Sequence, residues 1–586
     1  MSYNAAVQAV KQNQLMSFFA LLLLAGTVLL YGFGLGNYGL FDVDEAIFAQ
    51  TSVEMLHSGD YYKPTYNGEP RFHKPPMIYY LQTASYKLFG VSPMAARLPS
   101  AIAGIIMILV FYNSVWLLSR QKRYALIAAA VLAFNLSILM LARAAIADML
   151  LNMLMLSATM LLIGNIYATE RSAMRVIVAG FLLGLAVLTK GPVALVLPGA
   201  VVGFLVLMKE QRALSLSSVS PVLLLMAALT AVIPWAMLVI DHTSPEFFRE
   251  FIVRFIGVHN IHRYFDGMGV SNVKPNAWWY YLVVLLLGFF PWVLLIPSAI
   301  GGVLKDAWWR IRGHDPRLAL PVLGLVWGCI VVALFTFSAT KLPHYIAFAL
   351  PGFALLVADR LDRLGERPLG WFHLLYMVPA TLIFAGVFLL LPQLPDLLLG
   401  RGELTTLLSQ YDLHLAVTDP LVKAVLAQPV DFGIIPIAVG ALLILGIGLG
   451  FFFMRLGGVE ATLFLAVTIW ASLGLMALGI APKVYDLMQQ PLAWFGQDIA
   501  RHYDPATDKV VFLSTHQPSV RFISGAPFIP MDNPTQVPYV RGSKLFVLTD
   551  ITQMPALEPL LHDDNVTKEC LGGFCLVKVI RTGRHY

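Results

Sequence analysis

"MSFFALLLLAGTVLLYGFGLG" (residues 16–36) runs almost directly into "GLFDVDEAIFAQTSVEML" (residues 39–56). The first stretch is long enough to cross a bilayer as a helix, which takes roughly 20 apolar residues. The second sets three carboxylates, Asp42, Asp44 and Glu45, at the membrane edge, where ionised groups are costly unless used or paired. The rest of the chain has the same character. Of 586 residues 58% are hydrophobic and only 13% charged, against about 25% charged in an ordinary soluble protein. Further apolar runs lie near 97–118, 123–141, 147–167, 174–190, 192–208, 219–240, 278–300, 318–337, 343–358, 370–392, 432–454 and 459–480. The expected fold is an α-helical polytopic membrane protein of about thirteen transmembrane helices. "PMIYYLQTASYKLFG" (76–90) is too short and too polar to span and reads as a helix lying in the interface.

Short basic loops set the orientation. "RQKR" (120–123), "ERSAMR" (170–175), "KEQR" (209–212), "KDAWWRIRGHDPR" (305–317) and "DRLDRLGERP" (359–368) fall on one side if the first helix starts in the cytoplasm. The positive-inside rule then puts the C-terminus outside after an odd number of spans. No cleavable leader is evident behind the first apolar run. The pI near 9.0 reflects this loop bias and a basic outer cluster; nothing points to nucleic acid. The transmembrane part is read as 1–480, with a first outer loop at 36–96. From 481 to 586 short apolar runs, "KVVFLS", "KLFVLTD" and "CLVKVI", alternate with turns and helical stretches, the pattern of a small soluble α/β domain. Cys570 and Cys575 in "ECLGGFC" flank a Gly-Gly turn and are either a hairpin disulfide in an oxidising compartment or two free thiols. Cys329 lies in a span and is expected to pack in the core.

On this topology almost every ionisable residue at a span end that is not a simple anchor falls on the outer side. Carboxylates are supplied by Asp44, Glu45 and Asp148. Cations are supplied by Arg71, Lys74, Arg143, Lys190, Arg263 and Lys341. Cations in a partly dry cavity suit a phosphate, Arg through paired hydrogen bonds and Lys as a point charge. A carboxylate beside them suits a general base, or a ligand for a divalent cation bridging to the phosphate. Glu45 and His73 are the candidate metal ligands, His73 reading equally as a surface residue. Asp42 is expected to cap the helix that starts near Asp44. Arg143 and Lys190 either serve the cavity or snorkel; His259, His262 and Arg263 contact lipid headgroups or substrate. A flippase would carry polar groups along the whole path through the bilayer; here charge gathers at one face.

The stretch 41–82, "FDVDEAIFAQTSVEMLHSGDYYKPTYNGEPRFHKPPMIYYLQ", resembles the first outer loop of membrane glycosyltransferases with the GT-C fold. It is similar to the branch of aminoarabinose lipid A transferases and dolichyl-phosphate-mannose-protein-mannosyltransferase-like proteins. "LTKGPVALVLPG" (188–199), "HNIHRYF" (259–265), "WWYYLVVLLLGFFPW" (278–292) and "ATKLPHYIAFALPGFALLVAD" (339–359) extend the resemblance across the membrane part in order. By position it implies an acidic pair at Asp44-Glu45, with Asp44 the main catalytic carboxylate, a loop lysine at Lys74, and cavity residues Asp148, Lys190, Lys341 and Tyr345. Two positions depart from the aminoarabinose pattern: Ile47-Phe48-Ala49-Gln50 replaces Arg-Tyr-Ala-Glu, and His73 replaces a Glu. The implied activity is transfer of a sugar from a polyprenyl-phosphate-linked donor to a lipid A, lipopolysaccharide or other envelope-glycan acceptor; the alternatives are a protein acceptor or lipid-linked-sugar transport. The expected setting is a multi-pass bacterial inner-membrane protein among membrane lipids. Its site and tail domain would face the periplasm, and it would act as a monomer without an organic cofactor.

Overall fold

The computed structural model describes residues 3–71, 74–209, 212–246, 278–366, 368–401, 419–455, 460–561 and 565–581, with 249, 253 and 417 besides. Among them ten helices are long and apolar enough to cross a membrane, or twelve if two sharply bent pairs each count as one span. The bent pairs are Lys122–Ala133 with Leu136–Ala142 and Tyr280–Gly288 with Trp292–Val303. The count falls short of thirteen because the run near 192–208 forms a shorter helix, Val193–Met208. Many large apolar side chains point outward, as Leu21, Phe372 and Ile383 do. That is the arrangement a lipid solvent favours. Cys329 is among the outward-facing residues, so it is exposed rather than packed in the core.

The elements that build the site come early. Helix α1 (Tyr3–Gly32) ends shortly before the acidic stretch. Helix α2 (Asp44–Ser58) starts on the acidic stretch and ends at Gly59, whose φ of 70° is the left-handed conformation that glycine permits. A two-residue hairpin, β1 (Thr65–Tyr66) and β2 (Glu69–Pro70), follows. Then comes α3 (Met77–Phe89), the stretch expected to lie in the interface; it packs on α2 and on α4 (Pro93–Ser119). Helices α5 (Lys122–Ala133) and α6 (Leu136–Ala142) bend at Asn135, whose side chain caps α6 through the Ile138 amide. A short turn leads to α7 (Asp148–Tyr167), α8 (Ala173–Lys190) and α9 (Val193–Met208). Later in the chain, Pro316–Thr336 and Leu350–Asp362 pack glycine on glycine: a methyl added at Gly324 would overlap the Gly352 carbonyl. Small residues at such crossings let helix backbones meet closely in a membrane.

The last span does not stop at 481. The helical stretch Ala461–His502 is continuous. Its end enters the tail domain, where Leu492, Phe495 and Ile499 bury against Val510, Phe512, Phe546 and Leu548. The domain holds a five-stranded sheet of β3 (Lys509–Leu513), β4 (Phe528–Met531), β5 (Lys544–Asp550), β6 (Asn565–Leu571) and β7 (Phe574–Ile580), in the order β4-β3-β5-β7-β6. The first three strands run parallel and the last two antiparallel to their neighbours. Alternate residues of β3 and β5 face opposite sides; Val511, Leu513 and Val547 pack with Met554 and Leu557. Strands β6 and β7 meet at Gly572-Gly573, both at positive φ, which the tight hairpin turn requires. Cys570 and Cys575 bridge that hairpin as a disulfide.

Candidate functional site

The acidic stretch divides its labour. Asp42 does not cap α2: Val43 is the N-cap residue, with no side-chain bond. Asp42 reaches the tail domain instead and accepts hydrogen bonds from the Ser519 amide, at 2.7 Å, and hydroxyl. Glu45 turns inward and is buried. Its carboxylate takes Arg97 Nε at 2.9 Å and Nη2 at 2.8 Å, the Ala145 amide at 2.7 Å and the Phe41 amide at 3.0 Å. Burial alone would lift the Glu45 carboxyl, but Arg97 and the two amides hold it below the usual carboxylate range. Glu45 therefore has neither the accessibility for catalysis nor oxygens left for a metal. Asp44, between them, is exposed.

Arg97 was not singled out among the candidates, yet it is fully buried. Besides Glu45 it donates to the carbonyls of Leu35, Tyr38 and Gly39. Arg143 likewise serves structure: it donates to the carbonyls of Leu30, Phe33 and Gly34. Leu30 belongs to the last turn of α1, whose carbonyls lack helical partners, and Phe33 and Gly34 to the turn that follows it. Arg143 does not line the cavity described below. Arg71 donates to the Tyr79 hydroxyl at 2.9 Å and sits over the Phe48 ring. His73 and Arg263, with His259 and His262, lie outside the described residues.

The start of α7, the end of α8 and the start of the 343–362 helix meet around a cavity of about 130 Å³. Asp148 opens α7 and Lys190 closes α8; the two form an ion pair. His344 Nε2 stands 3.6 Å from the same Asp148 oxygen. Lys190 Nζ lies 5.1 Å from the centre of the Tyr345 ring. Lys74 lines the cavity from the first loop, and its charge reaches Asp148. The deeper wall is apolar, with Leu151, Met155 and Phe348. Asn152, one turn below Asp148, donates to its backbone carbonyl, while its own side-chain oxygen is buried without a hydrogen-bond partner. Asp44 lies within electrostatic reach of His344 and Tyr79. Lys341 folds onto the Ser338 carbonyl at 2.9 Å and does not line the cavity. His344 and Asn152 were legible only weakly, as polar residues beside a recognised position in "KLPHY" and one turn after Asp148. Among the described residues no three His, Cys, Asp or Glu side chains gather as a metal site.

The profile of the family described as dolichyl-phosphate-mannose-protein mannosyltransferase matches residues 73–238. An uncharacterised protein of Aquifex aeolicus (strain VF5) is 27% identical over 387 residues, 65% of this chain and 72% of its own length. An undecaprenyl phosphate-alpha-4-amino-4-deoxy-L-arabinose arabinosyl transferase of Pseudomonas savastanoi pv. phaseolicola is 31% identical over 378 residues, 63% of this chain. The chain spans 66% of that transferase and 59% of the like-named protein of Pseudomonas aeruginosa (strain UCBPP-PA14). The crystal structure of ArnT from Cupriavidus metallidurans bound to undecaprenyl phosphate superposes with a TM-score of 0.75 at 19% identity, over 96% of this chain and 98% of that one. That match extends the shared fold through the tail domain.

Proposed function

The chain belongs to the GT-C membrane glycosyltransferases, in their aminoarabinose-transferase-like family, and from that premise we propose that it moves a sugar from a polyprenyl-phosphate donor to an envelope acceptor, lipid A or a related glycan. The observation that carries the reading is the cavity where Lys74, Lys190 and His344 surround Asp148 at the outer ends of the spans, with Asp44 close by. The donor's tail stays in the bilayer, so its phosphate–sugar bond lies at this height. Lys74 and Lys190 hold the phosphate, and Asp148 holds Lys190 in place. The bond from the anomeric carbon to the phosphate oxygen breaks, and its electron pair leaves on the phosphate, steadied by the two ammonium groups. The acceptor oxygen forms the new bond. When the acceptor is a hydroxyl, Asp44 takes its proton; when it is an ionised phosphate, Asp44 orients the donor instead. The basic short loops meet at the opposite end of the bundle, which supports a periplasmic site and tail domain.

The test is transfer by the purified protein from undecaprenyl-phosphate-linked 4-amino-4-deoxy-L-arabinose to lipid A, read by mass spectrometry with Asp44→Asn as control. Transfer lost in the variant supports the reading. Transfer to neither lipid A nor a total envelope-glycan extract by the wild type sinks it. A phosphatase fused after Tyr586 should be active and one near Arg310 inactive; the reverse would place the site on the wrong face.

A further inference from the structure

The tail domain touches the membrane part through the first outer loop. Asp42 accepts from the Ser519 amide and hydroxyl. Asn67 pairs with the Phe528 backbone in both directions, its amide donating at 2.7 Å and its carbonyl accepting at 3.0 Å. Arg521 stands 3.5 Å from Glu54. Between these, Phe522 packs with the cluster of Leu40, Ala46 and Ala49. Every loop partner lies on α2, just before it, or on the β1–β2 hairpin that follows. We propose that the tail domain is a positioning element of the reaction centre: by gripping Asp42 through Ser519 it fixes where Asp44 stands over the cavity. This rests on the role given above to Asp44.

The residues Asp42 to Glu45 are held at both ends and open in the middle. Glu45 is tied into the membrane part through Arg97 and the Ala145 amide, three residues before Asp148. Asp42 is tied to the tail domain. Because no side chain caps α2, the grip on Asp42 does what a cap would do, fixing the first turn from outside. The tail cannot drift independently, since the helix that carries it is the continuation of the last span and is buried in the sheet's core. Loss of the Ser519 grip leaves the first turn held by Glu45 and by the packing of Ala46, with the residues ahead of Glu45 free to shift. A misplacement of about 1 Å at a reacting group costs roughly a hundredfold in rate.

Asp42→Ala removes both hydrogen bonds and Ser519→Ala removes one. Asp42→Asn keeps both, since its carbonyl accepts from the Ser519 amide and its NH₂ donates to the Ser519 hydroxyl. The purified full-length variants are assayed with the donor and lipid A named above, and by hydrogen exchange over residues 40–58. Asp42→Ala should lower kcat about ten- to hundredfold at unchanged donor KM, with faster exchange in the first turn of α2. Ser519→Ala should fall between, and Asp42→Asn should match the wild type in both readouts. An unchanged kcat in Asp42→Ala, or a loss equally deep in Asp42→Asn, overturns the proposal. If the wild type transfers nothing, the glycosyl-transfer reading fails separately. Exchange then decides the grip: faster in Asp42→Ala but not in Asp42→Asn supports it, and no difference overturns it.

Discussion

Two charge clusters, one at each end of the helical bundle, handle their charge in opposite ways. At the end where the short basic loops meet, Arg317 donates to Gln121, Asp359 and Asp362 at 2.7, 2.7 and 3.0 Å and lies over the Tyr124 ring. Arg123 and Arg363 complete the pairing of the same two carboxylates. Lys209 adds a bond to the Gly313 carbonyl. This is a lock of planar guanidinium forks fitted to carboxylates, suited to tying three helix ends together. At the cavity end the charges around the pocket are two lysines, a histidine and Asp148. Lysine is a rotatable point charge that re-aims easily. The difference teaches which cluster is built to hold still and which to receive a ligand.

The largest effect expected from breaking this contrast is at Asp44. Asp44→Asn keeps the shape but loses the basic oxygen, and a lost general base lowers rate by roughly 10²–10⁴-fold. The variant should fold and still bind undecaprenyl phosphate. An active Asp44→Asn enzyme would remove this carboxylate from the mechanism. Next comes the locked end. Arg317→Leu takes one guanidinium from each of Asp359 and Asp362 and leaves them Arg363 and Arg123, so it should cost less than the about 3–5 kcal/mol of a buried charge left with no partner. Thermal unfolding in detergent should fall accordingly, while kcat of the folded fraction stays unchanged. A lowered kcat with intact stability would erase the division of labour between the two ends.

The membrane spans were legible because apolar periodicity is a local property of the chain. The strands β3, β5 and β7 were legible for the same reason, and the hairpin was visible in its Gly-Gly turn. What local pattern does not carry is the choice of partner. Glu45 reads identically whether it faces a sugar or Arg97, which is 52 residues away. Arg143 sits beside Asp148 in sequence but spends itself on the end of α1. Asp42 finds Ser519 across 477 residues. Asp148, Lys190, Lys74 and Tyr345 do converge as the motif positions implied. Lys341 lies in the same turn as His344, yet only His344 enters the cavity.

A smaller effect sharpens the comparison among the lysines. Lys74→Ala removes a cation from the cavity, whereas Lys209→Ala removes one whose nearest partners are the Gly313 carbonyl and the Tyr167 ring. A hydrogen bond to a charged group contributes about 1.5–3 kcal/mol. Lys74→Ala should therefore raise donor KM or lower turnover by roughly ten- to hundredfold, with Lys209→Ala near wild type in steady-state kinetics. Equal losses would mean the cavity cluster is not where the phosphate binds.

The smallest expected effect is a slope with pH, at the tail-domain contact. Burial pushes the Asp42 carboxyl up to about 7, against the two hydrogen bonds from Ser519 that favour its charged form. The folded state thus binds this proton more tightly than the unfolded chain. Its stabilising contribution is complete below the ordinary carboxylate range and is lost as pH rises through about 7. Glu54, on the neighbouring contact, behaves in the opposite sense. Burial would raise it, but Gln50, the amides of Gly68 and Asn67, and Thr65 hold it below the usual range. Its contribution is present above that range and is lost only in acid. Between pH 5 and 8 the two therefore do not cancel: Glu54 stays ionised while Asp42 loses its proton. The phenols of Tyr66 and Tyr485 also face Asp42, but an ordinary phenol ionises near 10, outside this window. His516 packs edge-on to Tyr66 and is replaced by Gln in both chains compared, so that no imidazole titrates there. Hydrogen exchange of residues 518–524, corrected for the intrinsic rise with pH, should then quicken from pH 5 to 8 when Asp42 is present and stay level in Asp42→Asn. Level exchange in both chains would mean that the Asp42 proton does not set the strength of this contact, and a slope of the opposite sign would mean that the charged form of Asp42 makes the tighter grip on Ser519.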